Sequence, residues 1–362
     1  MNRRKVVIFS PALHALSGVS THVRLLLESS LARDYELVHF QVGSEGRDEG
    51  ALQKLARYAL SPLALAALLV TSGAEAVHLN ASLEPKAYWR DLVYAAVARL
   101  LGRRVVNQVH GGAMPQDFFH GLPPLAWLLR RFLVSSDVVT VLSSAELEAY
   151  RNFDARIRVQ LVPNAIDPAG LADVPRTWNR DRPLRLVYVG RLVRAKGLFE
   201  AVEALGALRR AGRRFEFWIA GNGADACALA VACARAKLTS QVRFLGAVSG
   251  AAKSWLWLDS DVFVFPSHAE GLPYALLESM AAGCVPVTTP VAAIPDVMCG
   301  GEHGLFVPVR NPAALANAIA RLDDDRELLR HMGLAARRRI LQHYTVARLA
   351  EDFRQIYSAC LA

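Results

Sequence analysis

Short runs of β-branched and aromatic residues, each stopped by Gly, Asn or Pro and followed by a longer helix-patterned segment, recur along the chain. No other feature restricts the possible folds as much. In the first half the runs are KVVIFSP, YELVHFQVG, AVHLN, RVVNQVHGG and DVVTVLS. Strands separated by helices build βαβ units, whose parallel sheet needs cover on both faces. After VQLVPNAIDPAG comes a stretch rich in Arg, Pro, Asp and Asn, 173–183, that reads as a linker. A second series follows it: LRLVYVGRL, FEFWIAGNG, VRFLGAV, DVFVFPS, VPVTT and GLFVPV. At 362 residues the chain exceeds what one hydrophobic core usually serves. The expected fold class is therefore α/β, with two Rossmann-like domains, 1–172 and 184–345, facing each other across a cleft. The last segment, 346–362, is helical in pattern.

The formal charge of +9 comes almost wholly from arginine, since Lys occurs only at 5, 54, 86, 196, 237 and 253. Such a balance favours anionic partners: nucleotide diphosphates, acidic lipids or nucleic acid. Nucleic acid is set aside, because no recognition module and no zinc-finger spacing is present. Cysteines at 227, 233, 284, 299 and 360 form no Cys-x-x-Cys pair and show no Cys/His ligand spacing, so reduced thiols in a cytoplasmic protein are expected. The N-terminus passes from basic residues straight into a strand pattern, which argues against a signal peptide. The longest apolar stretch, 59–70, has 12 residues against the roughly 18 of a spanning helix, so no transmembrane segment is expected.

Ligands of open α/β sheets bind beside the carboxyl ends of strands, which makes the strand-to-loop junctions the informative positions. In the segment 261–290, a strand ends at Pro266, a turn carries Glu270, Gly271 and Leu272, a helix begins near Pro273, and Glu278 follows inside it. The free N–H groups and positive pole of that helix end suit a diphosphate. Glu278 would then reach vicinal hydroxyls of a ribose, and Glu270 would meet a sugar hydroxyl or brace the loop. In 186–200 a strand ends at Gly190 and Arg191, and Lys196 with Gly197 opens another helix. A planar fork and a compact charge on one loop can clamp a pyrophosphate. Both cations would stabilise the charge that develops on a departing diphosphate. Arg194 is taken as exposed. His110 stands at a strand end before two glycines and would meet a ligand through its imidazole or its carbonyl, whereas His14, His22, His39 and His331 read as structural. Gly18 lies between the first strand and its helix, and Gly221 with Asn222 would pass near a nucleotide base or form a plain tight turn. Asp259-Ser260-Asp261 has the spacing of a divalent-metal motif but joins a helix end to a buried strand, so it reads as a cap or turn. Asp323 to Asp325 reads as a solvated connection. No metal site is expected.

VPNAID, VGRLVRAKG, AGNG, VRFLGAV and above all HAEGLPYALLESMAAGCVPVTT resemble glycosyltransferase family 4. The likeness runs through the whole second half and touches the strand ends of the first. It implies a GT-B fold in which the final helix, 346–362, returns to the first domain. It also implies a nucleoside-diphosphate sugar (UDP- or GDP-linked) as donor, retention of anomeric configuration by front-face attack, and no cofactor or required metal. The acceptor would be a glycan or a lipid-linked glycan, in cell-surface polysaccharide or lipopolysaccharide biosynthesis. Carried over by motif, Arg191 and Lys196 would hold the diphosphate, Glu278 the ribose, Glu270 the donor sugar, and His110 the sugar near its reacting carbon. Gly18, Gly190, Gly221, Asn222, Gly271 and Leu272 would complete the nucleotide site. Two departures stand out. The family's Gly-Gly-x-x-Glu turn is replaced by VAAIPDVM, with Ala292, Ala293 and Asp296, whose side chains narrow the approach to the diphosphate. The first loop has one glycine, Gly18, where many members have two.

Residues 125–137, LAWLLRRFLVSSD, set Trp127, Leu128, Phe132 and Leu133 beside Arg130 and Arg131. A basic amphipathic helix of this kind can lie on an anionic membrane surface, at the inner face for a cytoplasmic protein; a core-facing helix with two exposed arginines fits equally. A phosphorylase would need a pyridoxal-phosphate lysine, and the few lysines offer no candidate. A nicotinamide enzyme would show Gly-x-Gly-x-x-Gly after its first strand. A non-catalytic scaffold, or a sugar-nucleotide epimerase of the same fold, stays as the alternative.

Overall fold

In chain order the strands and helices of the first half are β1 Arg4–Ser10, α1 Gly18–Glu28, α2 Leu31–Asp34, β2 Tyr35–Gln41, α3 Ala51–Ser72, β3 Ala76–Leu83, α4 Pro85–Leu100, β4 Arg104–Gly112, α5 Pro115–Phe118, α6 Pro123–Ser135, β5 Val138–Val141, α7 Ser144–Phe153 and β6 Val159–Leu161. The second half continues with β7 Leu184–Val189, α8 Leu198–Arg210, β8 Phe215–Ala220, α9 Ala226–Arg235, β9 Val242–Gly246, α10 Gly250–Asp259, β10 Val262–Phe265, α11 Tyr274–Ala281, β11 Val285–Thr288, α12 Ile294–Val297, β12 Leu305–Phe306, α13 Pro312–Asp324, α14 Arg326–His343 and α15 Val346–Leu361. The computed structural model describes residues 3–171, 174, 176, 178 and 181–362.

The strands form two six-stranded sheets, ordered β2-β1-β3-β4-β5-β6 and β12-β11-β10-β7-β8-β9, and the pairs are parallel, as alternating strands and helices require. The chain divides into two compact units, residues 1–165 with 346–362, and residues 166–345. The first unit thus ends at Ala165, before the expected limit of 172. Ile166 already belongs to the second unit: it pairs with Thr345 and donates its N–H to the Tyr344 carbonyl at 2.9 Å. Of the linker expected at 173–183, residues 173, 175, 177, 179 and 180 lie outside the described residues. Arg176 within it is buried and donates to the carbonyls of Trp257, Ala282 and Ser260, so this part of the segment packs on the second unit.

The first sheet buries different partners on its two faces. Val6, Ile8, Val23 and Leu26 pack with Leu349, Phe353 and Tyr357 of α15 in one cluster, so the last helix completes the first unit. Val7, Val77 and Val105 pack instead with residues of α3, α4, α6 and α7. Local signals set the helix starts. Ser17 caps α1 by accepting from Ser20 N–H at 3.1 Å, and Ser143 with Glu146 forms a capping box on α7. Two expectations about apolar helices need correction. The run 59–70 is part of a 22-residue helix, α3, which is long and apolar enough to cross a membrane by length and composition, since Lys54 and Arg57 interrupt the sequence run but not the helix. In α6, Phe132 and Leu133 are buried in the core with Leu129, leaving Trp127 as the exposed large apolar residue there; the interior takes the apolar side assigned to a membrane.

Candidate functional site

The densest cluster of expected residues lies in the second unit, at the carboxyl ends of β7, β8 and β10. Their loops close on one another through glycines that admit no side chain. A Cβ on Gly221 (φ +141°) would lie 1.8 Å from the Gly190 carbonyl oxygen, and one on Gly197 (φ +72°) would lie 2.0 Å from that of Pro266. Gly190 N–H donates to Ala220, Gly221 N–H to Gly246, and Leu192 N–H to the Asn222 carbonyl, at 3.0, 2.7 and 2.9 Å. On this base the turn Arg194–Lys196 presents Lys196, whose Nζ donates to Glu270 Oε1 at 2.5 Å; the two side chains are 14% and 7% exposed. Arg191, on the same loop, is exposed, and its guanidinium has no ion pair or hydrogen bond among the described residues, while its carbonyl accepts from Tyr188 Oη at 2.7 Å. Arg194 is exposed as expected, its guanidinium lying over the Phe199 ring.

Glu270 precedes and Glu278 lies inside α11, which starts at Tyr274 with Pro273 at its N-cap. Gly271 accepts from Ala293 N–H at 3.3 Å and Leu272 is buried, tying this turn to the loop that replaces the Gly-Gly-x-x-Glu pattern. There Ala292 keeps a left-handed backbone, φ +48°, so the turn retains a glycine-like conformation despite its side chain. Glu278 is held from two sides: Lys253 Nζ donates to Oε1 at 2.7 Å and Trp257 Nε1 donates to Oε2 at 3.2 Å. Sequence reasoning missed Lys253 and Trp257. Both lie on α10, four residues apart on one helix face, and that spacing was the signal available.

In the first unit, Gly18 is the first residue of α1 and is exposed. His110 lies in β4, followed by Gly111 and Gly112 at φ +97° and +111°; a Cβ on Gly112 would meet the Leu83 backbone at 2.7 Å. Asn80 Nδ2 donates to the Phe9 carbonyl at 2.8 Å, which turns Asn80 Oδ1 toward His110 Nε2 at 2.6 Å. His110 Nε2 therefore donates, and Nδ1 keeps its lone pair. Burial pushes His110 down to about 3, so the ring is neutral. His22, read from sequence as merely structural, is buried edge-on against His110 with ring centroids 4.9 Å apart. His78 is also buried, between Tyr357 Oη at 2.6 Å and Gln108 Oε1 at 3.1 Å.

Among the described residues, Cys299, Glu302 and His303 have the composition of a metal site, and Asp259-Ser260-Asp261 has the spacing of one. Asp261 accepts from Arg182 at 3.0 Å and from the Arg185 backbone at 2.9 Å, and Asp259 pairs with the Arg185 side chain, so Asp-x-Asp braces the foot of β10. Cys299, Glu302 and His303 bring their ligand atoms within 4.8 Å of one another. However, Cys299 N–H donates to His303 Nδ1 at 3.0 Å, which places the proton of the neutral ring on Nε2 and leaves neither nitrogen a free lone pair. These residues fit a braced turn better than a cation.

Comparison with known proteins bears on both units. Residues 175–339 match the family described as Glycosyl transferases group 1, and residues 16–169 match Glycosyltransferase Family 4. The chain is 29% identical over 238 residues to a glycogen synthase of Mycobacterium tuberculosis, covering 65% of this chain and 56% of that protein. It is 32% identical over 180 residues to the amylovoran biosynthesis glycosyltransferase AmsK of Erwinia amylovora, covering 47% of this chain and 44% of that one. The chain thus spans about half the length of these relatives. The solved structure of Anabaena HepE in complex with UDP-glucose superposes with a TM-score of 0.76, over 98% of this chain and 99% of HepE. At 15% identity that likeness shows the fold alone.

Proposed function

The chain belongs to the GT-B glycosyltransferases of family 4, and from that premise we propose that it moves a hexose-type sugar from a UDP- or GDP-sugar to a hydroxyl of a glycan or lipid-linked acceptor, with retention, in cell-surface polysaccharide biosynthesis. The observation that carries the reading is the loop cluster of the second unit. Glycine-only contacts there support an unpaired Arg191 and a nearly buried Lys196–Glu270 pair at the ends of parallel strands. The UDP-glucose bound by HepE and the polysaccharide chemistry named for the glycogen synthase and AmsK support it further.

Arg191 and Lys196 take the diphosphate, and their charge balances what the leaving group gains as the glycosidic bond breaks. Glu270 keeps Lys196 aimed while the site is empty and turns to a donor-sugar hydroxyl when it fills. Glu278, oriented by Lys253 and Trp257, retains lone pairs for the ribose hydroxyls. His110, neutral with Nδ1 as acceptor, is assigned to the transferred sugar. No metal is assigned a role. An acceptor carried on lipid would bring the protein to an anionic membrane surface at the inner face.

A thermal-shift titration with UDP, GDP, ADP and their sugars tests the reading. A ligand at about 100 times its dissociation constant stabilises by roughly 2.7 kcal/mol. A shift with UDP or GDP species is expected; no shift with any nucleotide would favour a non-catalytic scaffold.

A further inference from the structure

α3 reverses the pattern of an ordinary surface helix. Each residue turns by about 100°, which places Leu52, Leu55, Leu60, Leu63 and Val70, with alanines between them, on one arc of about 140° that no polar residue interrupts. Those five side chains are 84, 68, 59, 67 and 60% exposed, whereas Leu65 and Leu69, on the other side, are buried. A monomeric protein rarely leaves so continuous an apolar face in water. α4 packs beside α3, with Tyr94 Oη donating to Ser61 Oγ at 2.9 Å, and adds exposed Trp89 and Val93 one turn apart. α6, on the same face of the sheet, adds Trp127.

Charge on these three helices has one sign. Lys54, Arg57, Lys86, Arg90, Arg99, Arg130 and Arg131 stand against a lone acid, Asp91, which is buried and paired with Arg90. Glu49, Asp137 and Asp154 from neighbouring segments hold Arg57, Arg99 and Arg130. Lys54, Lys86 and Arg131 form no ion pair among the described residues.

We propose that the outward layer of α3, α4 and α6 seats the first unit on an anionic lipid bilayer. Leucines of α3 would enter the acyl boundary, Trp89 and Trp127 would sit at the polar–apolar border, and Lys86 and Arg131 would meet headgroups. α3 lies in the interface and does not cross it, because Leu65 and Leu69 belong to the unit's core. A second copy is a poorer occupant, since face-to-face layers would oppose like charges. The proposal takes its partner's class from the membrane-surface reading above and moves the contact from α6 alone to a layer centred on α3.

Flotation of the full chain with phosphatidylcholine vesicles, and with vesicles also containing phosphatidylglycerol, tests it. The protein is expected to float with the anionic vesicles, and less as salt rises. L60E/L63E, both at exposed positions, should reduce flotation at least tenfold with an unchanged melting temperature, and K86E/R131E should abolish the preference for anionic lipid. Wild-type protein that stays at the bottom at low salt, or L60E/L63E that floats like wild type, overturns the proposal. So does light scattering that shows a wild-type dimer which L60E/L63E converts to monomer, because the layer would then belong to a second copy. The assay uses neither donor nor acceptor, so its failure leaves the transferase reading intact, and a failed nucleotide titration leaves this result standing.

Discussion

Lys253 and Trp257 convert Glu278 from a helix carboxylate into an aimed one. Lys253→Met should raise the Kd for the nucleotide about tenfold, equivalent to about 1.4 kcal/mol and in the range of one charge-assisted hydrogen bond; calorimetric titration measures it, and an unchanged Kd would make Lys253 a bystander. Glu278→Ala should weaken nucleotide binding, whereas Lys196→Ala should lower kcat by more than it raises KM, the mark of a group acting mainly in the transition state. Wild-type kinetics in both would remove the assignment. At Ala292 the left-handed backbone costs roughly 1–2 kcal/mol, offset in glycine by about 0.5–1 kcal/mol of lost chain entropy. Ala292→Gly should therefore stabilise by about 0.5 kcal/mol in urea melts. The loop and helix positions of Arg191, Lys196, Glu270 and Glu278 were legible because each lies in a short segment whose strand end or helix start is marked by Gly or Pro. Lys253 and His22 were not, since their partners are distant in sequence and only the packed chain brings them together.

Three imidazoles, His22 and His78 buried and His110 partly so, join α1, β3 and β4, and His78 reaches α15 through Tyr357. Burial is the main cause that holds His22 well below its ordinary value and puts His78 and His110 near 3, so the folded unit resists protons that the unfolded chain accepts. Stability from these groups is complete above about pH 6.5 and is lost as pH falls toward 3, by up to about 4 kcal/mol per pH unit if all three take part. A pH series of denaturant melts should show that slope, and His78→Gln should lower it by one proton. Helix phase explains the elements that sequence misjudged. The apolar side of α6 could face core or lipid, and its neighbours decided; in α3 a break in the linear apolar run hid a continuous face in three dimensions.

At the scale of the molecule, two compact units, each with its own buried apolar residues, imply two transitions in calorimetry. Acid should lower the first unit's transition through its histidines, and a bound nucleotide should raise the other. The two-domain α/β plan was legible because strand and helix periods alternate in both halves. The exact division was not, since the pairing of Ile166 with Thr345 joins segments far apart in the chain. The packing of α15 against β1 also orders events during synthesis. The apolar side formed by Val6, Ile8, Val23 and Leu26 is synthesised before the second unit, and α15, which covers it, after that unit. While residues 166–345 are added, roughly 10–35 s at about 5–20 residues/s, the second unit can close and the first cannot. Of the two units, the one begun first therefore finishes folding last, its apolar side left without α15 during that interval.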